Sequence, residues 1–540
     1  MRLTLGAIAI STALMWVSAL ADDKHDNNRG RRAIPCAALL NLHLANTTIT
    51  SAESVPAGSF DPPGATLPFT DLPEFCRVVG SIKPVVNSEI GFEVWMPADW
   101  NGKFNGVGSG GSAGAIQYAS LRGALLRGYA AMATDNGHVG SNWNFANPPT
   151  GDPEKVIDFG YRAQHLSTAA AKSIVRAFYG ERPKYSYFTG CSQGGHHGLM
   201  EAQRFPEDYD GIVAGDPAHD WTNLMVAELW TGAMSTLKGP ASDLPQAKLN
   251  LLHNAVLQAC DANDGVLDGV LENPRTCKFN PAVLQCQGPD SPTCLTAAQL
   301  EAVRLIYQGP RNPRTSKLIF PGLPVGSEEA WRQVLVGQPV PGGSSNSFFR
   351  DGVFNDPNWD PLSFNYDTDT ALTQNKPAAG ETWESALDAD SADLRGLKSR
   401  GAKLIMYHGL SDPFITPWSS TDYYERVIAR FSGRHESRAE AIAEVQDFAR
   451  LFLVPGLYHC VGGPGATTFD MLSALEEWVE KGEAPKSVIA SRVVNNVVER
   501  TRPLCAYPRV ATYKGSGDTN DAESFRCRLP ASERARRHDD

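Results

Sequence analysis

The chain has 540 residues, and its 60 acidic residues outnumber its 49 lysines and arginines, which gives a formal net charge of −11 at pH 7. A chain of this length can bury a large core and normally contains more than one structural unit. The acidic balance argues against nucleic acid and against an anionic membrane surface as partners, and the short basic stretch 29–32 does not reverse it.

Residues 1–21 have the pattern of an export signal. Arg2 precedes an apolar run, and Ala19-Leu20-Ala21 fits a small-residue cleavage site. An uncleaved membrane anchor is the alternative, and the glycine, serine and threonine residues within the run disfavour it. We therefore expect a secreted or periplasmic protein of 519 residues (540 − 21) that does not associate with membranes. The sequence leaves its oligomeric state open.

Strand and helix patterns alternate in the first part of the chain. Apolar residues at every second position from 90 to 96 predict a strand within 83–108, and strand patterns follow at 128–134 and 184–190. A helical pattern covers 163–179. This rhythm predicts an α/β protein with a mostly parallel sheet covered by helices.

The segment from about 216 to 395 differs in composition. It is rich in proline, glycine, asparagine, aspartate and large aromatic residues, and it shows no sheet rhythm. Two buried-strand patterns follow, at 403–407 and 451–454, with a helical pattern over 421–449 between them. We therefore predict a discontinuous core of residues 33–215 and 396–528, interrupted by an inserted lid domain of residues 216–395. The polar stretch 22–32 and the charged tail from about 529 are predicted to be disordered.

The chain contains ten cysteines. In an exported protein, an even number favours disulfides over metal sites. Short spacings make three pairs candidates: Cys260–Cys277, Cys286–Cys294 and Cys505–Cys527. Four cysteines remain, at positions 36, 76, 191 and 460.

The strongest motif is Gly190-Cys191-Ser192-Gln193-Gly194, which matches G-x-S-x-G. A strand pattern precedes it and a helical pattern follows, so the turn between them would lift the serine hydroxyl clear of the sheet. The backbone N–H of Gln193, at the start of the helix, would then be placed to bind an oxyanion. We assign Ser192 as a nucleophile, with a purely structural turn as the alternative.

The acid and the base are expected after later strands, because α/β hydrolases follow the order serine, acid, histidine. Asp412 follows the strand pattern 403–407, and His459 lies on a loop marked by proline and glycine after the strand pattern 451–454. Asp412 would hold the imidazole in the correct tautomer and stabilise its cation. The alternative for Asp412 is a turn residue before a proline.

Three other histidines compete for the role of base. His408 lies at the end of the strand pattern and is interpreted as a hydrogen-bonded structural residue. His196 and His197 are too close to the serine in sequence to fold back over it, so they are predicted to pack on a helix face.

The remaining cysteines flank the catalytic candidates. If the triad is correct, Cys191 and Cys460 come close enough for a disulfide, which would fix the separation of serine and histidine covalently. Two buried thiols are the alternative. Cys36 and Cys76 then pair by elimination.

With Cys191-Ser192, Asp412 and His459-Cys460, the chain resembles the tannase and feruloyl esterase family over about residues 33–527. The resemblance implies an α/β-hydrolase core, a large lid inserted before the acid strand, five disulfides and a calcium ion in the lid. The glycine-rich stretch 108–112 resembles the family's oxyanion loop. Gly111 is therefore the expected second N–H donor, with Gly110 as the next choice. A phosphate-binding loop is disfavoured because no P-loop lysine follows.

The segment 260–270 carries three carboxylates within eight residues, a pattern that a hard cation with oxygen ligands stabilises. By similarity to the family, the aspartates would bind calcium through their side chains and two valines through backbone carbonyls: Asp261, Asp264, Asp268, Val266 and Val270. An acidic, solvated turn is the alternative. The ion is expected to order the lid and to take no part in the chemistry.

These residues predict a serine carboxylic-ester hydrolase that works by two-step acyl transfer. The resemblance implies esters of aromatic acids, either small molecules or linked to polysaccharide. Hydroxycinnamate esters such as ferulates are the first choice, with gallate esters and terephthalate mono-esters as alternatives. From other classes, an acyltransferase would use the same triad. A non-catalytic calcium-dependent binding protein would need a broken triad, whereas all three residues are present.

Overall fold

The computed structural model describes residues 34–64, 67–337, 343–433 and 437–530. The predicted export signal and the last ten residues lie outside this part of the chain. Among the described residues, every helix is too short or too polar to cross a bilayer.

The described residues form seventeen strands. In chain order they are β1 Thr47–Val55, β2 Gly58–Phe60, β3 Phe69–Leu72, β4 Phe75–Ile82, β5 Ile90–Pro97, β6 Lys103–Val107, β7 Ala130–Thr134, β8 Tyr185–Cys191, β9 Gly211–Gly215, β10 Pro377–Ala378, β11 Glu381–Thr382, β12 Lys403–Gly409, β13 Ala449–Val454, β14 Ser487–Val494, β15 Val497–Cys505, β16 Val510–Tyr513 and β17 Phe525–Arg528.

Nine of these strands form one central sheet in the order β1-β4-β5-β7-β6-β8-β9-β12-β13. The pairs from β1 to β7 are antiparallel. From β7 through β6, β8, β9 and β12 to β13 every pair is parallel. The carboxyl ends of the parallel strands therefore meet at one edge of the sheet, where ligands bind in open α/β sheets.

Helices surround the sheet. In chain order the α-helices are α1 Tyr118–Leu126, α2 Glu154–Ile157, α3 Ala163–Tyr179, α4 Gln193–Arg204, α5 Trp221–Gly232, α6 Gln246–Cys260, α7 Ala297–Gln308, α8 Trp331–Val334, α9 Gly343–Ser347, α10 Thr368–Asn375, α11 Trp383–Leu387, α12 Arg395–Arg400, α13 Pro417–Ser432, α14 Arg438–Gln446 and α15 Met471–Lys481.

Both faces of the sheet are covered by apolar side chains. On one face, residues such as Ile174 of α3 and Val427 of α13 pack against Met132 and Met406 of the strands. On the other face, helices α1 and α15 pack against the sheet through a second apolar cluster. The predicted mostly parallel sheet between helical layers is therefore confirmed.

The residues between β9 and β12 form helices α5 to α12 and a two-stranded β10–β11 hairpin. Their aromatic core includes Trp221, Phe348 and Trp383, and it also takes in Trp143 and Phe159 from before the insertion. The inserted segment is thus joined to the rest of the protein by a shared apolar core. The domain boundaries drawn at 216 and 395 stay predictions.

Several elements match their predictions, and others do not. The helix predicted over 163–179 is α3, which ends at the left-handed Gly180. The helical pattern over 421–449 corresponds to two helices, α13 and α14, whose separation near Gly433 was not predicted, and β13 begins at Ala449. The antiparallel strands β1 and β4 were not predicted.

All five predicted disulfides are present. They are Cys36–Cys76, Cys191–Cys460, Cys260–Cys277, Cys286–Cys294 and Cys505–Cys527. Disulfides in this number are typical of proteins that fold in an oxidising compartment outside the cytoplasm.

Candidate active site

Ser192 occupies a strained turn between β8 and α4. Its φ of 64° and ψ of −121° lie outside the regions that most L-residues adopt. The turn is possible because glycines surround it: a Cβ on Gly108 would lie 2.3 Å from the Cα of Gly194, and a Cβ on Gly190 would lie 2.5 Å from the carbonyl carbon of Gly194. The Ser192 backbone N–H donates to the Gly215 carbonyl at 2.9 Å. The sharp turn thus places Ser192 at the carboxyl edge of the sheet.

Asp412 and His459 form a hydrogen-bonded pair at the same edge. Asp412, which follows β12, is fully buried, and its Oδ1 accepts from the backbone N–H groups of Phe414 and Ile415 at 2.8 and 3.0 Å. Its Oδ2 lies 2.8 Å from His459 Nδ1. Because a carboxylate oxygen accepts, Nδ1 carries the proton and Nε2 is left as the basic nitrogen. This is the tautomer that a general base needs.

The Cys191–Cys460 disulfide connects the two halves of this site. Its Cα atoms are 6.0 Å apart although 269 positions separate the residues in sequence. One cysteine immediately precedes Ser192 and the other immediately follows His459. The structure therefore brings the three predicted triad residues to one corner of the sheet.

The opposite charges of Asp412 and His459 shift the pKa of each residue in favour of its charged form. Burial by itself lowers the pKa of His459, but the charge of Asp412 and the hydrogen bond to it raise that pKa above the usual value of 6.5. Burial by itself raises the pKa of Asp412, but the neighbouring His459 and His408 hold it well below its usual range. The carboxylate is thus ionised whenever the imidazole is ready to accept a proton.

The competing histidines are held elsewhere. The His408 ring is buried between the Ser420 hydroxyl, at 2.7 Å, and the Ile415 carbonyl, at 2.9 Å. His196 is buried on α4 and donates from Nε2 to the Leu387 carbonyl at 2.7 Å. His197 is also fully buried on this helix. These positions agree with the structural roles predicted for all three.

The glycine-rich loop follows β6, next to the serine turn. The Ser109 hydroxyl donates to Gln193 Oε1 at 2.7 Å and accepts from Asn136 Nδ2 at 2.8 Å. Gly111 has a φ of +58°, a conformation that favours glycine. Gln193 is the first residue of α4, so its N–H is among those that have no partner within the helix. The Ser109–Gln193 hydrogen bond therefore connects the loop to the start of α4, on the side where an oxyanion would form.

Two residues that sequence reasoning missed lie beside the triad. The ring of Phe414 packs edge-on against the His459 imidazole, with centroids 5.2 Å apart. Asp216 is a second buried carboxylate, positioned directly after β9. Its position at the end of a parallel strand, like that of Asp412, is the signal that could have found it.

The acidic segment 260–270 folds around a small cavity. Asp264, Val266, Asp268 and Val270 line it, together with Glu272, a half-buried carboxylate that was not predicted. Asp261 is not part of the lining; its carboxylate accepts from the backbone N–H groups of residues 268 and 269 at 3.3 and 3.0 Å.

Two arginines from β15 contact this acidic segment. Arg502 and Arg500 lie 2.6 and 3.2 Å from one Asp268 oxygen. The three aspartates of the segment and Glu272 carry four negative charges when ionised and the two arginines carry two positive ones, so a divalent cation would balance them. Carboxylate and carbonyl oxygens are the donors that calcium prefers. The residues therefore fit a calcium ion.

The sequence matches the family model described as tannase and feruloyl esterase over residues 76–528. The chain belongs to this family. An uncharacterized esterase of Xanthomonas campestris pv. campestris is 43% identical over 525 residues, which cover 91% of each chain. A mono(2-hydroxyethyl) terephthalate hydrolase of Piscinibacter sakaiensis is 36% identical, with 86% of this chain and 87% of that one covered.

Among solved structures, feruloyl esterase B from Aspergillus oryzae superposes with a TM-score of 0.82 at 29% identity, covering 91% of this chain and 99% of that one. The predicted α/β-hydrolase fold is therefore confirmed. Membership of this family identifies the protein as a carboxylic-ester hydrolase.

Proposed function

We propose that this family member hydrolyses esters of aromatic acids, with feruloyl and related hydroxycinnamoyl esters as its preferred substrates, through Ser192, Asp412 and His459. The observation that carries the proposal is the Asp412–His459 hydrogen bond of 2.8 Å, joined to the serine turn by the Cys191–Cys460 disulfide. The Asp412–His459 pair and the disulfide to the serine turn support an arrangement of nucleophile, base and orienting acid suited to acyl transfer.

The reaction proceeds by two acyl transfers. His459 Nε2 removes the proton from the Ser192 hydroxyl as the oxygen attacks the ester carbonyl, and the backbone N–H groups of Gln193 and Gly111 stabilise the oxyanion. The imidazolium returns the proton to the departing alcohol, which leaves an acyl-serine. Water then loses a proton to His459 as its oxygen attacks the acyl carbonyl, and the imidazolium returns that proton to the Ser192 oxygen as the bond between serine and acyl group breaks and the acid leaves.

Aromatic surface next to the base supports the choice of acyl group. Phe414 contacts the His459 ring and also packs against the aromatic core of the inserted segment. A planar acyl group can stack on, or meet the edge of, such a ring. Two of the relatives are named for the esters they act on, a feruloyl ester and a terephthalate mono-ester, which share a benzene ring in the acid. Terephthalate mono-esters are the second candidate, because that relative is 36% identical. Gallate esters remain a third candidate.

We also propose that residues 1–21 direct export and that the enzyme works in the periplasm or outside the cell, on small esters or on aromatic acids linked to polysaccharide. The five disulfides support an oxidising compartment. The inserted segment between β9 and β12 would then act as the lid over the triad.

We propose a structural calcium ion in the inserted segment, held by the side chains of Asp261, Asp264 and Asp268 and the carbonyls of Val266 and Val270. The cavity lined by four of these residues supports it, and the excess of carboxylates over arginines favours a divalent ion. The ion would supply charge balance and order to this segment, and it would not take part in acyl transfer.

Hydrolysis of methyl ferulate, methyl gallate and mono(2-hydroxyethyl) terephthalate, measured side by side, tests the proposal. We expect the highest kcat/KM for methyl ferulate, and a loss of about three orders of magnitude or more in kcat for Ser192→Ala. Ser173→Ala, on the exposed face of α3, is the matched control and should behave as wild type. A Ser192→Ala enzyme that keeps more than about a tenth of the wild-type rate contradicts the assigned nucleophile.

A further inference from the structure

Asp216 connects three segments beneath the triad. It follows β9 directly, its side chain is fully buried, and its backbone N–H donates to the Tyr407 carbonyl at 2.9 Å. Its Oδ1 accepts from the Gly409 N–H at the end of β12, at 2.7 Å. Its Oδ2 accepts from the Cys460 N–H on the loop that carries the base, at 3.2 Å. One carboxylate thus holds the ends of two strands and the residue next to His459.

The backbone is strained at both ends of this link. Asp216 has a φ of 36° and Cys460 a φ of 64°, although neither residue is glycine. Such conformations persist only where the surroundings hold them, and they cluster at functional sites. The Cys191 sulfur lies 3.2 Å from Asp216 Oδ2, so the carboxylate also contacts the disulfide next to Ser192. Asp216 is therefore packed against both residues that flank the catalytic pair.

Several charged and titratable groups face this carboxylate or the base. His408 Nε2 lies 3.7 Å from Asp216 Oδ1 and 3.4 Å from Asp412 Oδ2, so the two carboxylates flank one imidazole. Tyr407 lies nearby on β12, and burial together with the charge of Asp216 raises the pKa of its hydroxyl. Glu228 of α5 faces His459 from the inserted segment, and its charge adds to those of Asp412 and Asp216 in raising the pKa of the base.

We propose that Asp216 is a positioning residue for His459: it fixes the backbone of the base loop through Cys460 and places a second negative charge below the imidazole. This inference rests on the proposed role of His459 as the base. The two backbone N–H groups donate to two different oxygens of this side chain, and a carboxylate supplies both acceptors whereas an amide supplies one. A buried carboxylate is costly unless it has partners, and here it also stabilises the imidazolium that forms during acyl transfer.

Asp216→Asn is the direct test. The amide has one acceptor oxygen instead of two and no charge, and asparagine tolerates a positive φ, so the variant is expected to fold. We expect kcat to fall roughly tenfold or more, with KM changed less than about twofold, because the loop shifts while the substrate contacts remain. The acidic limb of kcat/KM should move to lower pH by about half a unit, because loss of a nearby negative charge lowers the pKa of the base.

The matched control is Asp208→Asn. Asp208 is also buried, and it hydrogen-bonds His165 at 2.6 Å, but it precedes β9 whereas Asp216 follows it. The five-residue strand β9 separates the two by roughly 16 Å along its length. This control should lower the melting temperature without moving kcat or the pH profile. Asp216→Ser, which keeps one acceptor without charge, is the second variant and should show the same shift of the acidic limb.

The outcomes separate the two proposals. If the Asp216 variants lose only thermal stability, as the control does, Asp216 is merely structural and the inference is overturned while the triad stands. An unchanged pH profile in both Asp216 variants overturns it equally. If Ser192→Ala retains activity, it is the proposed function that fails.

Discussion

Removal of the Cys191–Cys460 disulfide tests the structural basis of the active site. We consider the double variant Cys191→Ala/Cys460→Ala, which leaves no unpaired thiol at this position. For a sequence separation of 269 residues, the chain-entropy relation predicts a loss of roughly 5–6 kcal/mol in the free energy of unfolding. The same relation gives about 2.5 kcal/mol for Cys286→Ala/Cys294→Ala, whose separation is 8, so this double variant is the matched control.

The two double variants are also expected to differ in kcat. Cys191 and Cys460 adjoin Ser192 and His459, so without the bond the hydroxyl and the imidazole can drift apart. A displacement of about 1 Å can cost on the order of a hundredfold in rate, and we expect kcat to fall at least tenfold. The control bond, in the inserted segment, should leave kcat within about twofold of wild type.

Two measurements test the role of the Cys191–Cys460 disulfide in stability and in turnover. Guanidinium denaturation under non-reducing conditions gives the loss of stability, and initial rates of methyl ferulate hydrolysis at a temperature where both variants are folded give kcat. The positioning role of this disulfide is refuted if the Cys191/Cys460 variant is no less stable than the control and turns over substrate at the wild-type rate. The disulfide would then be an accessory bond that positions nothing.

Three further predictions concern the acid, the pH profile and the cation. Asp412→Asn should lower kcat by about 10⁴-fold in a steady-state assay, because an amide cannot hold the imidazole in its basic tautomer, and a loss below tenfold contradicts the role. Because only neutral His459 accepts a proton and its pKa is raised, kcat/KM should fall as the pH drops through an apparent pKa above 6.5, and a limb below pH 6 contradicts this. Dialysis against EDTA should lower the melting temperature by several degrees and added Ca²⁺ should restore it, whereas an unchanged melting curve rules out the ion. Asp264→Asn should abolish that calcium response.

The spacing of apolar residues predicted those helices and strands that have one apolar face and one polar face. Helix α3 buries residues such as Ile174 and Val175 and exposes others, and its predicted bounds match the structure. Strand β1, with the sequence TTITSAESV, has too little apolar contrast to be recognised before its partner β4 is known. The break near Gly433 was missed because the apolar pattern of α13 resumes in α14. Tertiary pairing, which a single sequence does not display, decides such segments.

The candidate triad could be proposed from sequence because each member follows a parallel strand and carries a reactive group. Asp216 satisfies both conditions, but Gly215-Asp216-Pro217 reads as an ordinary turn, and only the structure shows its carboxylate turned inward. The sequence placed the expected second oxyanion donor in the glycine-rich loop, with Gly111 as the first choice and Gly110 as the next. The direction of the Gly111 backbone N–H depends on a φ of +58° that composition does not specify.

The sheet order gives a physical reason for the positioning roles proposed for the Cys191–Cys460 disulfide and for Asp216. Ser192 follows β8 and His459 follows β13, and β9 and β12 lie between these strands. Three strand spacings amount to about 14 Å, so the loop after β13 must cross the ends of two strands to reach the serine. It passes directly over Gly409 at the end of β12, where a Cβ would lie 2.4 Å from the Leu457 carbonyl. It then meets Asp216 at the end of β9, and it finally reaches Cys191 at the end of β8. A loop that spans such a distance would otherwise be mobile, and each strand end that it crosses supplies one fixed contact.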